Sequence, residues 1–259
     1  MSCVGDDLRI ASLVPSVTEL LVALGLARRL VARTGYCIHP AAELAGVPKV
    51  GGTKDVNLAK LKRLAPTHVV VNVDENRRET VDALRAWGTQ VLVTHPCSPR
   101  DVLDLIAQMR AAFGAEPGVA ERAAAITAEL EAELRQTRSA DHPPWPVLYL
   151  IWREPWMTVA RDTYIARLLG HVNWQTLPAT TGGESGAARY PTLTGQEPWR
   201  GEVREVLLSS EPYAFDHRHR DEARLLWPSA RVRLVDGELL SWYGPRTAAG
   251  LCYLRGLVG

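Results

Sequence analysis

A strand-then-helix pattern runs twice through this 259-residue chain, from Arg9 to about Ala112 and again from about Trp145 to Gly259. One long, charged segment of helical period separates the two runs. In it Val119, Ala123, Ile126, Leu130 and Leu134 recur at helical spacing, with Glu129, Glu131, Glu133 and Arg135 on other faces. The pattern divides the chain into an N-terminal α/β lobe over residues 1–112, a connecting helix over 113–140 and a C-terminal α/β lobe over 141–259. Two lobes joined by a stiff rod are expected to form a cleft, and a chain built this way is expected to hold a ligand there.

In the first lobe an apolar run over residues 9–14 stops at Pro15. Ser16 and Glu19 then stand three apart before Leu20, Leu21 and Leu24, the spacing of a capping box at a helix start. Buried strands are expected over 69–73 and 91–94, with helices around 58–64, 76–87 and 102–109, the last capped from Ser98 and Asp101. The second lobe predicts strands over 147–151, 206–208 and 232–235, and helices over 162–169, 221–227 and 247–257. Residues 180–191, rich in Gly, Thr and Ser, predict a mobile loop. Repeated strand, loop and helix units imply parallel pairing with loops gathered at the carboxyl edge. The fold class is therefore α/β, with two Rossmann-like lobes around mostly parallel central sheets, joined by one long rigid α-helix.

The 30 basic and 29 acidic side chains are dispersed along the sequence for a net charge of +1, so no polycationic surface is expected and nucleic acid is excluded as a partner. The opening MSCVGDDLRI has neither a basic n-region nor an apolar h-region. No signal peptide or membrane span is read there, which places the chain as it stands in the cytoplasm. Removal of an export signal would make it periplasmic and put Cys3 near a former lipid-attachment site. Cys3, Cys37, Cys97 and Cys252 lack CxxC spacing and read as free thiols, so no metal site and no intrinsic cofactor is expected.

Polar and aromatic residues crowd the strand-to-helix loops: YCIHP from Tyr36, GGTK from Gly51, NVDEN from Asn72, WREPW from Trp152, SEPY from Ser210 and SWYGPR from Ser241. Seven of the eight tryptophans lie from Trp145 onward. Trp87, Trp174 and Trp227 read as helix packing. Trp152, Trp156 and Trp242 stand beside glycine, proline and charge at strand ends, where a flat indole suits stacking on a planar or bulky ligand. Lys54, Arg153 and Arg246 either clamp carboxylates or phosphates or serve ordinary ion pairs. His39 either hydrogen-bonds its loop or reaches a metal, including one already held in a chelate. His217 and His219, in a highly charged stretch, read as solvated. GxSxG, HExxH and GxxxxGK[ST] are absent, so no catalytic residue is assigned. In a cytoplasmic enzyme using the same cleft, His39, Glu75, Glu154 or Glu211 would carry protons.

Taken in order, RIASLVPSVTELLVALGL, VGGTKDVNLAKLKRLAPTHVVV, the interlobe helix and VLYLIWREPWMTVARDTYIARLL resemble the helical-backbone, class III, periplasmic binding proteins, over nearly the whole length. That family captures cobalamin, haem and ferric siderophores for ABC importers. YCIHP, SSEPYAF and VDGELLSWYGPR resemble its helical-backbone metal receptor subgroup, and the cobalamin branch looks nearest. The resemblance implies cleft contacts at Tyr36, Thr53 with Lys54, Asn72, the Trp152–Trp156 turn, Trp242 with Tyr243, and Arg246. It also implies permease-docking glutamates, but the matching positions are Ala59 and Gln196, the latter beside Glu197. The expectation is a solute-binding protein for a small organic or metal-chelate ligand, either docking on an ABC permease or a cytoplasmic relative no longer coupled to an importer. Stacking is expected from Trp152, Trp156, Trp242 and Tyr243, acid recognition from Lys54, Arg153 and Arg246, and orientation from Tyr36 and His39.

Overall fold

Short apolar runs become parallel strands at the centre of each half of the chain. A computed structural model describes residues 8–258, and Cys3 lies outside them. The chain divides into two units. The first takes the described residues through Pro96, then Val102–Ala128 and Tyr243–Pro245; the second takes Cys97–Asp101, Glu129–Trp242 and the residues from Arg246.

In the first unit β1 (Ile10–Ser12), β2 (Leu30–Arg33), β3 (His68–Asn72) and β4 (Gln90–Thr94) pair in parallel in the order β2-β1-β3-β4. The central strands are buried on both faces, which is why their sequences read as apolar runs without alternation. Helix α1 (Pro15–Ala23) follows β1, and α2 (Ala41–Leu44) follows β2. Helices α3 (Leu58–Arg63) and α4 (Arg78–Ala86) flank β3, α3 being capped by Asn57, whose Oδ1 accepts the Lys60 N–H at 2.8 Å. Leu13, Val50, Leu61, Val69, Val71 and Leu84 form the core, with Trp87 packed against it as expected. Ser16 is not a cap. Pro15, with its fixed φ and no N–H to lose, starts the helix two residues earlier than a Ser16 cap would, so Ser16 lies buried within it.

Helix α5 (Asp101–Phe113) begins with the expected cap. The Ser98 hydroxyl accepts the Asp101 N–H at 3.3 Å, and the Asp101 carboxylate accepts the Cys97 N–H at 2.9 Å. Helix α6 (Val119–Gln136) carries the division between the units within it, and Val119, Ala123, Leu130 and Leu134 of its apolar stripe are buried. Among the described residues no helix is long and apolar enough to cross a membrane.

In the second unit β5 (Trp145–Leu150), β6 (Trp174–Thr176), β7 (Glu205–Ser209) and β8 (Arg231–Val235) pair in parallel in the order β6-β5-β7-β8. Its helices are α7 (Tyr164–Leu169), α8 (His217–Leu226), α9 (Gly237–Ser241) and α10 (Arg246–Val258). Thr163, Asp216 and Asp236 cap the first three. Trp174 and Trp227 are buried, as expected of packing residues. His219 is a correction: it completes the Asp216 capping box and meets the Tyr213 hydroxyl at 2.9 Å, whereas its neighbour His217 is exposed. The loop over residues 180–191 is also tied down. The Asp162 carboxylate accepts the N–H groups of Gly182 and Gly183 at 2.8 Å, and the buried Arg189 donates to the Gly183 carbonyl at 2.7 Å. Burial of Asp162 is outweighed by those N–H groups and by Arg189, which hold its carboxyl below the ordinary value.

Two glycines of α10 test this packing against each other. A Cβ on Gly250 would stand 2.2 Å from the Leu239 carbonyl oxygen, whereas one on Gly256 would meet open space. Gly250→Ala is expected to lower the urea midpoint by an amount worth about 1–3 kcal/mol. Gly256→Ala is expected to leave it unchanged or raise it by up to about 1 kcal/mol. Equal midpoints for the two variants would show that α9 and α10 do not pack this closely.

Candidate functional site

The carboxyl ends of the first unit's strands carry a hydrogen-bonded polar shell. Arg33, at the end of β2, is buried and donates to the carbonyls of Cys37 at 2.9 Å, Leu44 at 3.3 Å and Thr34 at 3.4 Å. This guanidinium fixes the loop that displays Tyr36, which is 64% exposed, and the half-buried His39. Cys37 is buried beneath them with its sulfur 3.1 Å from the Thr34 hydroxyl, and burial pushes its thiol pKa up, so it is an inert packing group. Gly51, at φ +100° and with its position closed by the Asp55 carbonyl, makes the tight turn that precedes Thr53 and Lys54.

Asn72 sits at the end of β3 and is buried. Its side-chain oxygen accepts the N–H groups of Asp74 at 2.7 Å and Glu75 at 3.2 Å. Asn76 spans the edge, accepting the Asn72 N–H at 2.8 Å while donating to the Thr53 carbonyl at 2.9 Å. The exposed Lys54 donates to the Asp74 carbonyl at 2.6 Å, and His95 lies 3.4 Å from the Asp74 carboxylate. Tyr243 belongs to this unit. Its buried hydroxyl donates to Glu75 at 3.3 Å, and burial, reinforced by that carboxylate, raises its pKa well above the ordinary value.

In the second unit the turn after β5 is cinched at its base. The Met157 N–H donates to the Trp152 carbonyl at 3.1 Å, and the Ile151 N–H donates to that of Met157 at 3.0 Å. Trp152 remains 41% exposed, edge-on to Tyr213 at 5.5 Å. Arg153 makes a two-point pair with Glu222 at 2.6 and 3.0 Å and covers Trp156 at 4.8 Å. Trp156 stacks on Phe215 at 5.7 Å. Trp242 is 8% exposed, and its indole N–H donates to Glu211, which also accepts the Ser241 hydroxyl at 3.1 Å. Arg246 pairs with Glu238 at 2.7 Å and covers Trp242 at 5.2 Å. Glu211 is half-buried, and its partial burial raises its pKa against the opposing hydrogen bonds.

The sequence-predicted residues therefore fall into three groups, one of them the half-buried pair His39 and Thr53. Tyr36, Lys54 and Trp152 present exposed side chains. Asn72, Arg153, Trp156, Trp242, Tyr243 and Arg246 are engaged by their own unit. Sequence reasoning missed Arg33 and His95, and it placed Tyr213 in a candidate loop without assigning it a contact. Their signal was position alone, each lying within a few residues of a strand's carboxyl end. Among the described residues no three His, Cys, Asp or Glu side chains are placed to hold a metal ion. Ala59 and Gln196 are both exposed, and Glu197 is turned into its own loop, where its carboxylate accepts from the Thr194 hydroxyl at 3.0 Å and the Gly195 N–H at 3.1 Å.

The periplasmic binding protein family matches this chain over residues 10–192. The chain belongs to that family. Among curated relatives it is similar to the vitamin B12-binding protein of Photorhabdus laumondii, 24% identical over 79% of this chain and 68% of the relative. It is also similar to that of Vibrio cholerae, 27% identical over 64% and 60%. Two solved structures share the fold. The periplasmic vitamin B12 binding protein BtuF of Vibrio cholerae superposes with a TM-score of 0.78 at 22% identity, covering 95% of this chain and 94% of that one. The periplasmic heme binding protein HutB of Vibrio cholerae gives 0.78 at 21% identity, covering 98% and 99%. The resemblance carried by the opening motif and the Trp152–Trp156 turn holds at the level of family and of the two-sheet fold, and the family's role is solute binding.

Glu211 yields a pH prediction. Its neutral form is favoured in the fold, so its contribution to stability is full below the ordinary value of 4.5 and is lost as pH rises through the raised value. Thermal unfolding is therefore expected to shift against the wild type, relative to Glu211→Gln, as pH rises from 4.5. A difference between the two that stays flat with pH would show that Glu211 is not titrating from a half-buried position.

Proposed function

We propose that this chain is a periplasmic solute-binding protein that captures a bulky metal chelate of the cobalamin or haem type for an ABC permease. The observation that carries the reading is family membership combined with two large aromatic side chains left in solvent at strand carboxyl ends, Tyr36 and Trp152. A corrin or porphyrin offers a broad apolar face and acidic or amide side groups. An exposed ring covers such a face at little entropic cost, and the Lys54 ammonium meets the acids. His39 is proposed to orient the ligand or to meet its metal, which arrives within the chelate. Thr53, Asn72, Arg153, Trp156, Trp242, Tyr243 and Arg246 are proposed as the remaining ligand residues, acting largely by holding the exposed groups in place. The names of the relatives support a tetrapyrrole. Since Ala59 and Gln196 stand where docking glutamates are expected, the permease contact is proposed to run without that charge pair.

Protein purified from its own host is expected to carry a visible absorption band, because cobalamin and haem are coloured. Titration with cyanocobalamin and with hemin is expected to give saturable binding of one of them. Trp152→Ala is expected to weaken that binding by an amount worth about 2 kcal/mol, roughly thirtyfold, with stability unchanged within about 0.5 kcal/mol. Trp242→Ala is expected to cost about 3–5 kcal/mol of stability instead. Failure of both chelates to bind the folded chain would sink the reading, and fractionation of cells expressing the full gene product tests the compartment.

A further inference from the structure

Four arginines far apart in sequence converge on one cavity of the second unit. The cavity, about 680 Å³, is lined by Arg100, Arg138, Arg161, Arg167 and His171, and no Asp or Glu lines it among the described residues. None of its lining belongs to the loops assigned above to the chelate. Arg161 spends its Nε on the Thr176 carbonyl at 3.1 Å, which leaves the end of its fork free of that bond. No carboxylate pairs with Arg100, Arg138, Arg161 or Arg167 among the described residues. Four other arginines of the same unit are neutralised, Arg153 by Glu222, Arg233 by Glu205, Arg246 by Glu238 and Arg255 by Glu133. Arg200 is spent on backbone carbonyls, and single arginines such as Arg218 stand alone, whereas here four gather on one concavity that no carboxylate lines among the described residues.

The contrast matters because the whole chain is nearly neutral at +1. A concavity bearing four unmatched guanidinium groups is a local feature and not an expression of overall basicity. Sequence dispersal hid it. Like charges separated by less than about 8 Å, the screening length at physiological salt, repel one another, and a multivalent anion relieves that repulsion. Guanidinium forks match phosphate oxygens two at a time. His171 places its Nδ1–H 3.3 Å from the Thr137 carbonyl, so its Nε2 becomes a donor to an anion only when the ring is protonated. Burial lowers its pKa and the charge on Arg100 lowers it further, so the second proton is taken up only where an anion offsets both. The volume falls within the range of about 300–1,000 Å³ common to small-molecule sites.

We propose that this cavity binds a small multivalent phosphate compound, either a free polyphosphate chain or a nucleotide carrying one, independently of the chelate. Calorimetry on the full chain at low salt is expected to show saturable binding of inorganic tripolyphosphate, tighter than inorganic monophosphate and weakening with added NaCl. Replacing two partners in Arg100→Ser/Arg167→Ser is expected to weaken tripolyphosphate roughly a hundredfold, and Arg138→Ser alone roughly tenfold. Arg78→Ser/Arg85→Ser, which removes the same charge outside the cavity, is expected to leave the affinity unchanged. ATP binding as tightly as tripolyphosphate would assign recognition to the phosphate chain, and tighter ATP binding would assign the nucleotide; both support the site. Equal losses in the two double variants, or binding of a glutamate-rich peptide with no binding of tripolyphosphate, would overturn it. Cyanocobalamin or hemin titrations of Arg100→Ser/Arg167→Ser are expected to match wild type, which separates failure here from failure of the chelate reading.

Discussion

Burial of the two central strands on both faces is the constraint from which the rest of each unit follows. β1 and β3 in the first sheet, and β5 and β7 in the second, have no solvent face along most of their length. Each buried aliphatic side chain there contributes about 1.5–3 kcal/mol through its removal from water. The same burial expels polar chemistry from the strand interiors, except where a charge brings its partner, as Glu205 brings Arg233. Polar and aromatic groups therefore collect in the loops that follow the strands. There they are held by polar groups satisfied through backbone bonds: the buried Arg33 on three carbonyls, the buried Asn72 on two N–H groups and the half-buried Asp162 on Gly182 and Gly183.

What could be read from sequence follows the range of the forces involved. Central strands and long helices were legible because burial on both faces, or on one stripe, writes itself into consecutive residues. Edge strands β2 and β6 were not, since Leu30–Arg33 and Trp174–Thr176 are short and interrupted by polar residues. Local rules also compete: the Ser16–Glu19 spacing matched a cap, but Pro15 claimed the helix start. Residues 180–191 read as mobile from composition, whereas the groups that fix them, Asp162 and Arg189, act across sequence distance or carry no turn signature.

The loops at the strands' carboxyl ends were legible as locations and much less as assignments. Residue type placed Trp152, Arg153, Trp156, Trp242 and Arg246 together as contact candidates, but it does not say which are already spoken for. Glu222, Phe215, Glu211 and Glu238, scattered through the second half, settle that by engaging all of them except Trp152. Arginine shows the same ambiguity most clearly. The same side chain serves as a neutralised strut at Arg153 and Arg233 and as an unmatched charge at Arg100 and Arg167, and only spatial neighbours distinguish the two.

The Trp152 turn carries a consequence for how fast things come and go. Its base is closed by two backbone bonds, its neighbour Arg153 is anchored to Glu222, and its ring leans on Tyr213. The indole has thus given up most of its rotational freedom during folding, before any encounter. On the proposed reading a ligand meeting that ring would find little disorder left to quench, so the entropy surrendered at the contact would be small. For a chelate bound as proposed, discrimination among similar molecules would fall to residence time, with arrival rates nearly alike and departure rates set by how completely each one covers the ring.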